Sequence, residues 1–288
     1  MRIAITGATG FIGRHVLAAL QTVEEASLHG EPLEIIATTR GGGGEPAPLS
    51  RVRWVPLDLQ SPPDDPLRHL SFPDVLVHLA WGGLPNYHSV RHLEEELPLH
   101  EAFLGRAIRD GLKAVVVAGT CSEYGMQEGQ LSEACPARPA NPYAHAKDRL
   151  RCFLEDLQAR YHFQRTWLRF FYLYGSGQPG RALYSQLLQA IGRGDEVFDM
   201  SGGEQVRDYL PITEAAGFVS SLTLRAANAG VVNICSGQPR TVKSLVEEWV
   251  GETDASIRLN LGYHPYSAHE PMQFWGTNEK LLSLLETR

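Results

Sequence analysis

The chain is poor in cysteine, and it has no long apolar run. Its 288 residues include four cysteines, Cys121, Cys135, Cys152 and Cys235, and these form no C-x-x-C pair. The 11 histidines show no metal-ligand spacing, so we predict reduced thiols, no disulfide framework and no metal. No apolar run approaches the roughly 20 residues that a membrane helix needs, and no membrane association is expected.

Clusters of basic residues are also missing. The chain carries 26 Lys and Arg against 33 Asp and Glu, which gives a formal net charge of −7. Proteins that bind nucleic acids neutralise phosphates with clustered cations, so we expect no nucleic-acid partner. The sequence enters a strand and glycine pattern at its second residue and leaves no room for a signal peptide. We therefore expect a cytoplasmic protein.

Apolar strand patterns alternate with helical patterns along the first half of the chain. Strands are predicted at residues 2–6, 34–39, 52–56, 74–79, 113–118 and 166–171, and long helices at 88–110 and 142–161. Apolar strands interleaved with helices are typical of a parallel sheet that is covered on both faces. The sequence predicts an α/β fold built on a doubly wound parallel sheet.

The pattern changes to turns and shorter elements after residue 171. Helices are predicted at 182–193, 214–227 and 242–250, with one more strand at 231–235. This part is too interrupted to form a second domain of equal size. We predict a large domain over residues 1–171 and a smaller C-terminal α/β lobe over 172–288, with the chain re-entering the first domain around 207–235.

A glycine-rich turn joins the first strand to the first helix. Glycines stand at positions 7, 10 and 13, and Phe11 and Ile12 open the helix. Gly7 permits a tight turn, Gly10 lets the backbone approach a pyrophosphate, and Gly13 lets the helix pack closely on the strand. The helix N-terminus offers free N–H groups to the anion. The motif predicts a Rossmann-type dinucleotide site.

The residue after the second strand bears on which dinucleotide binds. NAD-selective sites place an acidic side chain here to hold the ribose 2′-hydroxyl, whereas this chain has Arg40. A guanidinium can pair with a 2′-phosphate through two parallel hydrogen bonds. We therefore favour NADP(H), with NAD(H) as the alternative. The glycine run Gly41–Gly44 that follows is interpreted as a loop.

A tyrosine and a lysine share one face of the predicted helix at 142–161. Asn141 and Pro142 suit its N-cap and first position, and Tyr143 and Lys147 are four residues apart. A phenol has an unperturbed pKa of about 10. A neighbouring ammonium favours the phenolate, so we expect Lys147 to bring the Tyr143 pKa towards neutrality. The pair predicts proton transfer at this helix.

A polar segment follows the fifth strand, where parallel sheets bind their ligands. It begins with Thr120, Cys121 and Ser122. The Thr120 hydroxyl can polarise a substrate carbonyl while Tyr143 moves the proton.

Together these motifs resemble those of the extended short-chain dehydrogenase/reductases, and more narrowly the branch that acts on nucleotide sugars. The motifs are Gly7–Gly13, Thr120 four residues before Tyr124, the pair Tyr143 and Lys147, and Arg207-Asp208-Tyr209. They follow the order of the family and extend over almost the whole chain.

The resemblance assigns roles to individual residues. It implies that Thr120, Tyr143 and Lys147 form the catalytic triad and that Lys147 also holds the nicotinamide ribose. Further cofactor contacts that it implies are Asp58, Leu59, Leu79, Ala80, Trp81 and Phe170. It implies that Arg207 binds the substrate diphosphate, and that Trp81, Cys121, Ser122 and Tyr172 face the substrate. Tyr172 stands where many relatives carry an Asn.

Departures from the family narrow the choice of reaction. Its dehydratases place an Asp-Glu pair after the hydroxyl residue, whereas Cys121 and Ser122 follow Thr120 here. Without that pair no acid and base for the loss of water are evident. Epimerases of the family retain NAD, whereas Arg40 favours NADP(H). We therefore favour NADPH-dependent reduction of a nucleotide-linked 4-keto-6-deoxyhexose. The alternatives are a 4-epimerase with bound NAD, a reductase of ketones without a nucleotide, and a non-catalytic dinucleotide-binding sensor. The resemblance also implies a homodimer through the helices at 88–110 and 142–161.

Overall fold

The computed structural model describes residues 1–23, 32–41 and 51–286. Of the glycine run at 41–44, only Gly41 lies within these residues. The described strands are β1 (Arg2–Thr6), β2 (Glu34–Thr39), β3 (Val52–Pro56), β4 (Val75–His78), β5 (Ala114–Thr120), β6 (Gly129–Leu131), β7 (Gln164–Phe170), β8 (Tyr172–Tyr174), β9 (Val197–Asp199), β10 (Val206–Arg207), β11 (Tyr209–Pro211), β12 (Gly230–Ile234), β13 (Arg240–Thr241), β14 (Arg258–Asn260) and β15 (Phe274–Gly276).

The described α-helices are α1 (Phe11–Gln21), α2 (Pro66–His69), α3 (Leu97–Arg109), α4 (Pro142–Gln158), α5 (Leu183–Arg193), α6 (Ile212–Arg225), α7 (Val242–Gly251) and α8 (Glu279–Glu286). A π-helical turn (His92–Glu96) leads into α3, and a 3₁₀ turn (Cys121–Tyr124) follows β5. The helical stretch predicted at 88–110 therefore begins at Arg91, because residues 88–90 form turns and irregular backbone. Among the described helices, none is both long enough and apolar enough to cross a lipid bilayer.

Within the described residues, seven strands form one parallel sheet in the order β12-β7-β5-β4-β1-β2-β3. The chain moves outward from β1 to β3 and then returns to lay β4 on the other side of β1. Such a reversal opens a crevice beyond the carboxyl ends of the strands, and ligands bind there. The predicted doubly wound α/β fold is confirmed.

Both faces of the sheet are buried, which explains the continuous apolar character of its strands. Ile3 and Ile5 of β1 belong to the core under α1, α6 and α8. Ala4, between them, belongs to the core under α3 and α4. Successive side chains of a strand point to opposite faces, so a strand that is covered on both sides has no polar face.

The C-terminal part of the chain contributes to both bodies of the molecule. Strand β12 pairs with β7 at the edge of the large sheet, and Leu281 of α8 lies in the same core as Ile3. A separate buried cluster surrounds Trp249 of α7, which packs with Leu187 of α5 and Phe198 of β9. Strand β8 follows the carboxyl end of β7 directly and pairs with β11.

Candidate active site

The glycine turn after β1 is shaped for a close backbone approach. Gly7 has φ +72°, and a Cβ there would lie 2.8 Å from the Ala80 nitrogen. A Cβ on Gly13 would lie 2.1 Å from the Gly7 oxygen. Gly10 caps α1 without a side-chain hydrogen bond, so the first N–H groups of the helix remain for an anion. These features fit the pyrophosphate of a dinucleotide, and they bring Leu79 and Ala80 against the turn.

The residues expected to contact the adenosine end follow neighbouring strands. Arg40 is exposed directly after β2, and Asp58 and Leu59 follow β3. The two strands are paired up to their ends, and the Leu57 N–H donates to the Thr39 oxygen at 2.8 Å. The structure therefore brings all three side chains to the same edge of the sheet, beside the glycine turn.

Helix α4 begins as the sequence predicts and buries the tyrosine and lysine. The Asn141 side chain accepts a hydrogen bond from the Ala144 N–H at 2.9 Å, which caps the helix. Tyr143 is 7% exposed and Lys147 is 2% exposed. The Lys147 ammonium donates to the Ala118 carbonyl at 2.9 Å and lies 5.9 Å from the centre of the Tyr143 ring.

Burial shifts the pKa of Tyr143 in the opposite direction from the expected one. Desolvation raises the pKa of Tyr143, and the nearby Thr120 hydroxyl opposes the rise only in part. Desolvation also lowers the pKa of Lys147 to about 7, against the attraction of Glu123. The expectation that Lys147 acidifies Tyr143 is therefore wrong for this structure, since desolvation dominates the shift and Lys147 is not among its causes. Tyr143 keeps its proton at neutral pH and can donate it.

The polar segment after β5 places a hydroxyl beside this phenol. Thr120 ends β5, opposite Phe170 of β7, and its Oγ1 accepts a hydrogen bond from the Ser122 N–H at 3.2 Å. With an Oγ1 lone pair occupied in this way, the hydroxyl proton is free to be donated. Cys121 and Ser122 are half-buried in the following turn. The structure brings together Thr120, Tyr143 and Phe170.

Trp81 is held over the lysine by partners that the sequence did not reveal. Its Nε1 donates to Nδ1 of His92 at 3.1 Å, and its ring stacks on His100 with centroids 4.3 Å apart. The Lys147 ammonium lies 3.9 Å from the Trp81 ring centre, which is close enough for a cation–π contact. Next to it, the Gly82 N–H donates to Glu96 at 2.9 Å. His92 and Glu96 belong to the π-helical turn, a feature that is frequent at functional sites.

Two buried histidines extend the polar contacts beneath the crevice. His78 Nδ1 lies 2.8 Å from Oγ1 of Thr6, and its Nε2 lies 2.7 Å from Nδ1 of His100. His100 Nε2 is 3.6 Å from a carboxylate oxygen of Glu96. Burial lowers the pKa of both rings, that of His100 to about 4, so both are neutral at pH 7. Within the described residues, no group of three or more His, Cys, Asp or Glu could hold a metal ion.

Arg207, the expected diphosphate ligand, is buried and already paired. It is 4% exposed, and its Nη1 donates to the carbonyls of Val206 and Met272. Its Nη2 donates to Oε2 of Glu270 at 3.3 Å, and the Tyr172 hydroxyl donates to Oε1 of the same carboxylate at 3.0 Å. Glu270 belongs to a stretch without a recognisable motif, so the sequence offered no sign of it.

Comparison with known proteins finds relatives that are similar over nearly the whole chain. The chain is 28% identical over 282 residues to a dTDP-6-deoxy-L-talose 4-dehydrogenase (NAD(+)) of Aggregatibacter actinomycetemcomitans, covering 96% of this chain and 99% of the relative. It is 27% identical to a dTDP-6-deoxy-L-talose 4-dehydrogenase (NAD(P)(+)) of Kitasatospora kifunensis, covering 90% and 81% of the two chains.

A solved structure is also similar over nearly the whole chain. MoeE5 in complex with UDP-glucuronic acid and NAD superposes with a TM-score of 0.79 at 25% identity, covering 99% of this chain and 92% of that one. The model of the NAD dependent epimerase/dehydratase family matches residues 3–235. The resemblance to the extended short-chain dehydrogenase/reductases is confirmed, and the chain belongs to the NAD dependent epimerase/dehydratase family.

Proposed function

We propose that this protein reduces the 4-keto group of a nucleotide-linked 4-keto-6-deoxyhexose, with NADPH as the preferred reductant. The observation that carries the proposal is the buried Tyr143 phenol, which is 7% exposed, keeps its proton and lies beside the Thr120 hydroxyl. A ketone that gains hydride becomes an alkoxide and needs a proton on its oxygen, and Tyr143 is the donor in position.

Each residue of the site has a distinct task in this reaction. Bound dihydronicotinamide supplies the hydride, and the glycine turn at Gly7 and Gly13 takes the pyrophosphate of the cofactor. Thr120 donates its free hydroxyl proton in a hydrogen bond to the carbonyl oxygen and stabilises the charge that develops there. Tyr143 then transfers its phenolic proton to that oxygen. Lys147 would hold the nicotinamide ribose and, when protonated, stabilises the tyrosinate that remains.

The names of the two relatives support C4 as the carbon of the sugar at which the reaction takes place. Both are 4-dehydrogenases of dTDP-6-deoxy-L-talose, and reduction of the 4-ketone is the reverse of such a dehydrogenation. Trp81, half-buried beside the proton donor, would face the deoxysugar, and Phe170 would lie near the nicotinamide. The half-buried Cys121, Ser122 and Tyr172 would face the sugar, and the smaller lobe over 172–288 would hold the nucleotide.

The choice of cofactor depends on the edge of the sheet beside β2. Arg40 is exposed there and available to a 2′-phosphate. One relative is named for NAD(+) and the other for NAD(P)(+), so relatives at similar identity differ in this property. We favour NADP(H) because a guanidinium, and not a carboxylate, follows the strand.

The test is an assay of net reduction. The protein is incubated with dTDP-4-keto-6-deoxyglucose and either NADPH or NADH, and the absorbance of the reduced nicotinamide is followed. Loss of absorbance, faster with NADPH, is expected. If no 4-ketosugar nucleotide is reduced while UDP-hexoses interconvert, the protein is instead a 4-epimerase. If the dinucleotide binds without turnover of any nucleotide sugar or free ketone, it is a sensor.

The homodimer implied by the family resemblance is part of the proposal. It would form through α3 and α4, which pack side by side on one face of the sheet. Light scattering on the protein as it elutes from a size-exclusion column measures the mass directly, and a mass near 31.8 kDa would contradict the dimer.

A further inference from the structure

A fully buried carboxylate lies directly behind the proposed catalytic threonine. Glu123 is 0% exposed in the 3₁₀ turn after β5. Its Oε1 accepts hydrogen bonds from the Thr120 N–H at 2.9 Å and from Nε1 of Trp167 at 3.0 Å. Its Oε2 accepts from Nε of Arg169 at 2.7 Å. A buried charge is tolerated only when it is paired and hydrogen-bonded in this way.

Thr120 and Glu123 cap the same short turn reciprocally. The Thr120 hydroxyl oxygen accepts from the Ser122 N–H, while the Glu123 carboxylate accepts from the Thr120 N–H. This is the capping-box arrangement, in which the N-cap side chain and a glutamate side chain of the turn each accept a hydrogen bond from an otherwise unpaired backbone N–H. Here it fixes both the backbone of Thr120 and the rotamer of its side chain.

The turn is fastened to the neighbouring strand of the large sheet. Arg169 of β7 is in register with Gly119, and a Cβ on Gly119 would lie 2.2 Å from Nε1 of Trp167 and 2.7 Å from Oε1 of Glu123. Only glycine leaves room for this arrangement. The Arg169 guanidinium also lies 4.4 Å from the centre of the Tyr124 ring, so the last two residues of the turn both contact β7.

Stability alone is a weak reason for such a pair. A buried ion pair loses the hydration of both charges, and well-packed apolar side chains of similar volume often stabilise a protein as much or more. What an apolar pair does not provide is an acceptor for the buried Thr120 N–H. Glu123 therefore differs from an apolar residue in accepting a hydrogen bond from the N–H of Thr120, the residue that faces the substrate.

We propose that Glu123 is a positioning residue, whose side-chain oxygen holds Thr120 so that the hydroxyl points at the reacting oxygen of the substrate. The inference rests on the proposed function, because it takes Thr120 to act on the substrate. Without the acceptor, the Thr120 N–H is left buried and unpaired. The turn then changes conformation until this N–H finds an acceptor. The Thr120 hydroxyl no longer points at the oxygen on which charge develops.

The test compares two variants that both lack the buried charges. In Glu123→Gln with Arg169→Gln, an amide oxygen remains to accept from the Thr120 N–H, and the two amides can pair. In Glu123→Ala with Arg169→Gln, that oxygen is gone. Neither variant leaves an unpaired buried charge, and thermal unfolding and dinucleotide binding show whether each is folded.

We expect the glutamine variant to keep kcat within about threefold of wild type and the alanine variant to lose about tenfold, with little change in KM for the cofactor. This loss is smaller than the roughly 100-fold expected when the Thr120 hydroxyl itself is removed by Thr120→Ala. Adding Thr120→Ala to either variant should give the same low kcat, because Glu123 acts only through Thr120. Equal kcat in the two variants, or losses that add to that of Thr120→Ala, would overturn the inference.

Further variants distinguish a failure of this inference from a failure of the proposed function. Glu133 accepts from the Asn233 N–H at 2.8 Å, and Asn233 accepts from the Tyr124 hydroxyl at 2.7 Å. Glu133→Ala thus disturbs the same buried network away from Thr120, and should lower the unfolding temperature with kcat unchanged. A loss of kcat there equal to that of the alanine variant would make Glu123 merely structural. If Thr120→Ala and Tyr143→Phe both keep full activity, the proposed function fails instead.

Discussion

The ion pair between Arg207 and Glu270 predicts that removing a carboxylate will strengthen ligand binding. The Arg207 side chain is 5% exposed and that of Glu270 is 48% exposed, with the two charged atoms 3.3 Å apart. If Arg207 binds the substrate diphosphate, its Nη2 must first leave Glu270. Glu270→Gln keeps an oxygen for the Tyr172 hydroxyl and removes the charge that competes with the diphosphate.

The size of the effect follows from the exposure of the carboxylate. Ion pairs with an exposed partner contribute about 0.2–1 kcal/mol, and the buried guanidinium puts this pair at the upper end. Relief of about 1 kcal/mol corresponds to roughly a fivefold lower Kd for a nucleoside diphosphate. Because salt screens exposed charges, the gain should shrink as ionic strength rises.

Titration calorimetry with dTDP at low and high salt measures this prediction, and thymidine serves as the uncharged ligand. Glu204→Gln is the matched control, since Glu204 is in the same lobe and bonds to Tyr266. We expect tighter dTDP binding in Glu270→Gln alone, and unchanged thymidine binding. Weaker binding of dTDP to Glu270→Gln would refute the reasoning, because the carboxylate would then be a ligand contact and not a competitor.

Three other predictions follow from the site. Tyr143→Phe should lower kcat by about 10²- to 10⁴-fold, the usual contribution of a general acid, while fluorescence titration shows dinucleotide binding retained; unchanged kcat would remove Tyr143 from the mechanism. Arg40→Ala should raise KM for NADPH about tenfold or more, through loss of a charge-assisted contact, and leave KM for NADH unchanged; equal effects on both would mean that Arg40 does not contact a 2′-phosphate. Burial lowers the pKa of His100 from 6.5 to about 4, so its contribution to stability is complete above pH 6.5 and is lost as the pH falls towards 4. The loss of unfolding free energy over that range is about 3 kcal/mol. Urea unfolding at pH 6.5 and pH 4 should show that His100→Gln loses less unfolding free energy than wild type by that amount. Equal losses in the two proteins would contradict the assignment.

The sequence by itself determined the features that depend on neighbours along the chain. The glycine turn at Gly7 follows from backbone sterics within one strand–helix junction. The shared helix face of Tyr143 and Lys147 follows from the period of an α-helix and from its Asn141 cap. The continuous apolar strands likewise required a sheet covered on both faces. Each of these depends on local geometry, which the order of residues specifies.

Tertiary structure decided what depends on residues far apart in the chain. The direction of the Tyr143 pKa shift follows from desolvation, which exists only once the sheet, α4 and the loop after β4 enclose the ring. Arg207 meets Glu270 across 63 residues, and Glu123 meets Arg169 across 46 residues, through strand register and lobe packing that no local pattern records. Burial and long-range pairing set the charge state and the partners of the site, so these properties arose only with the folded molecule.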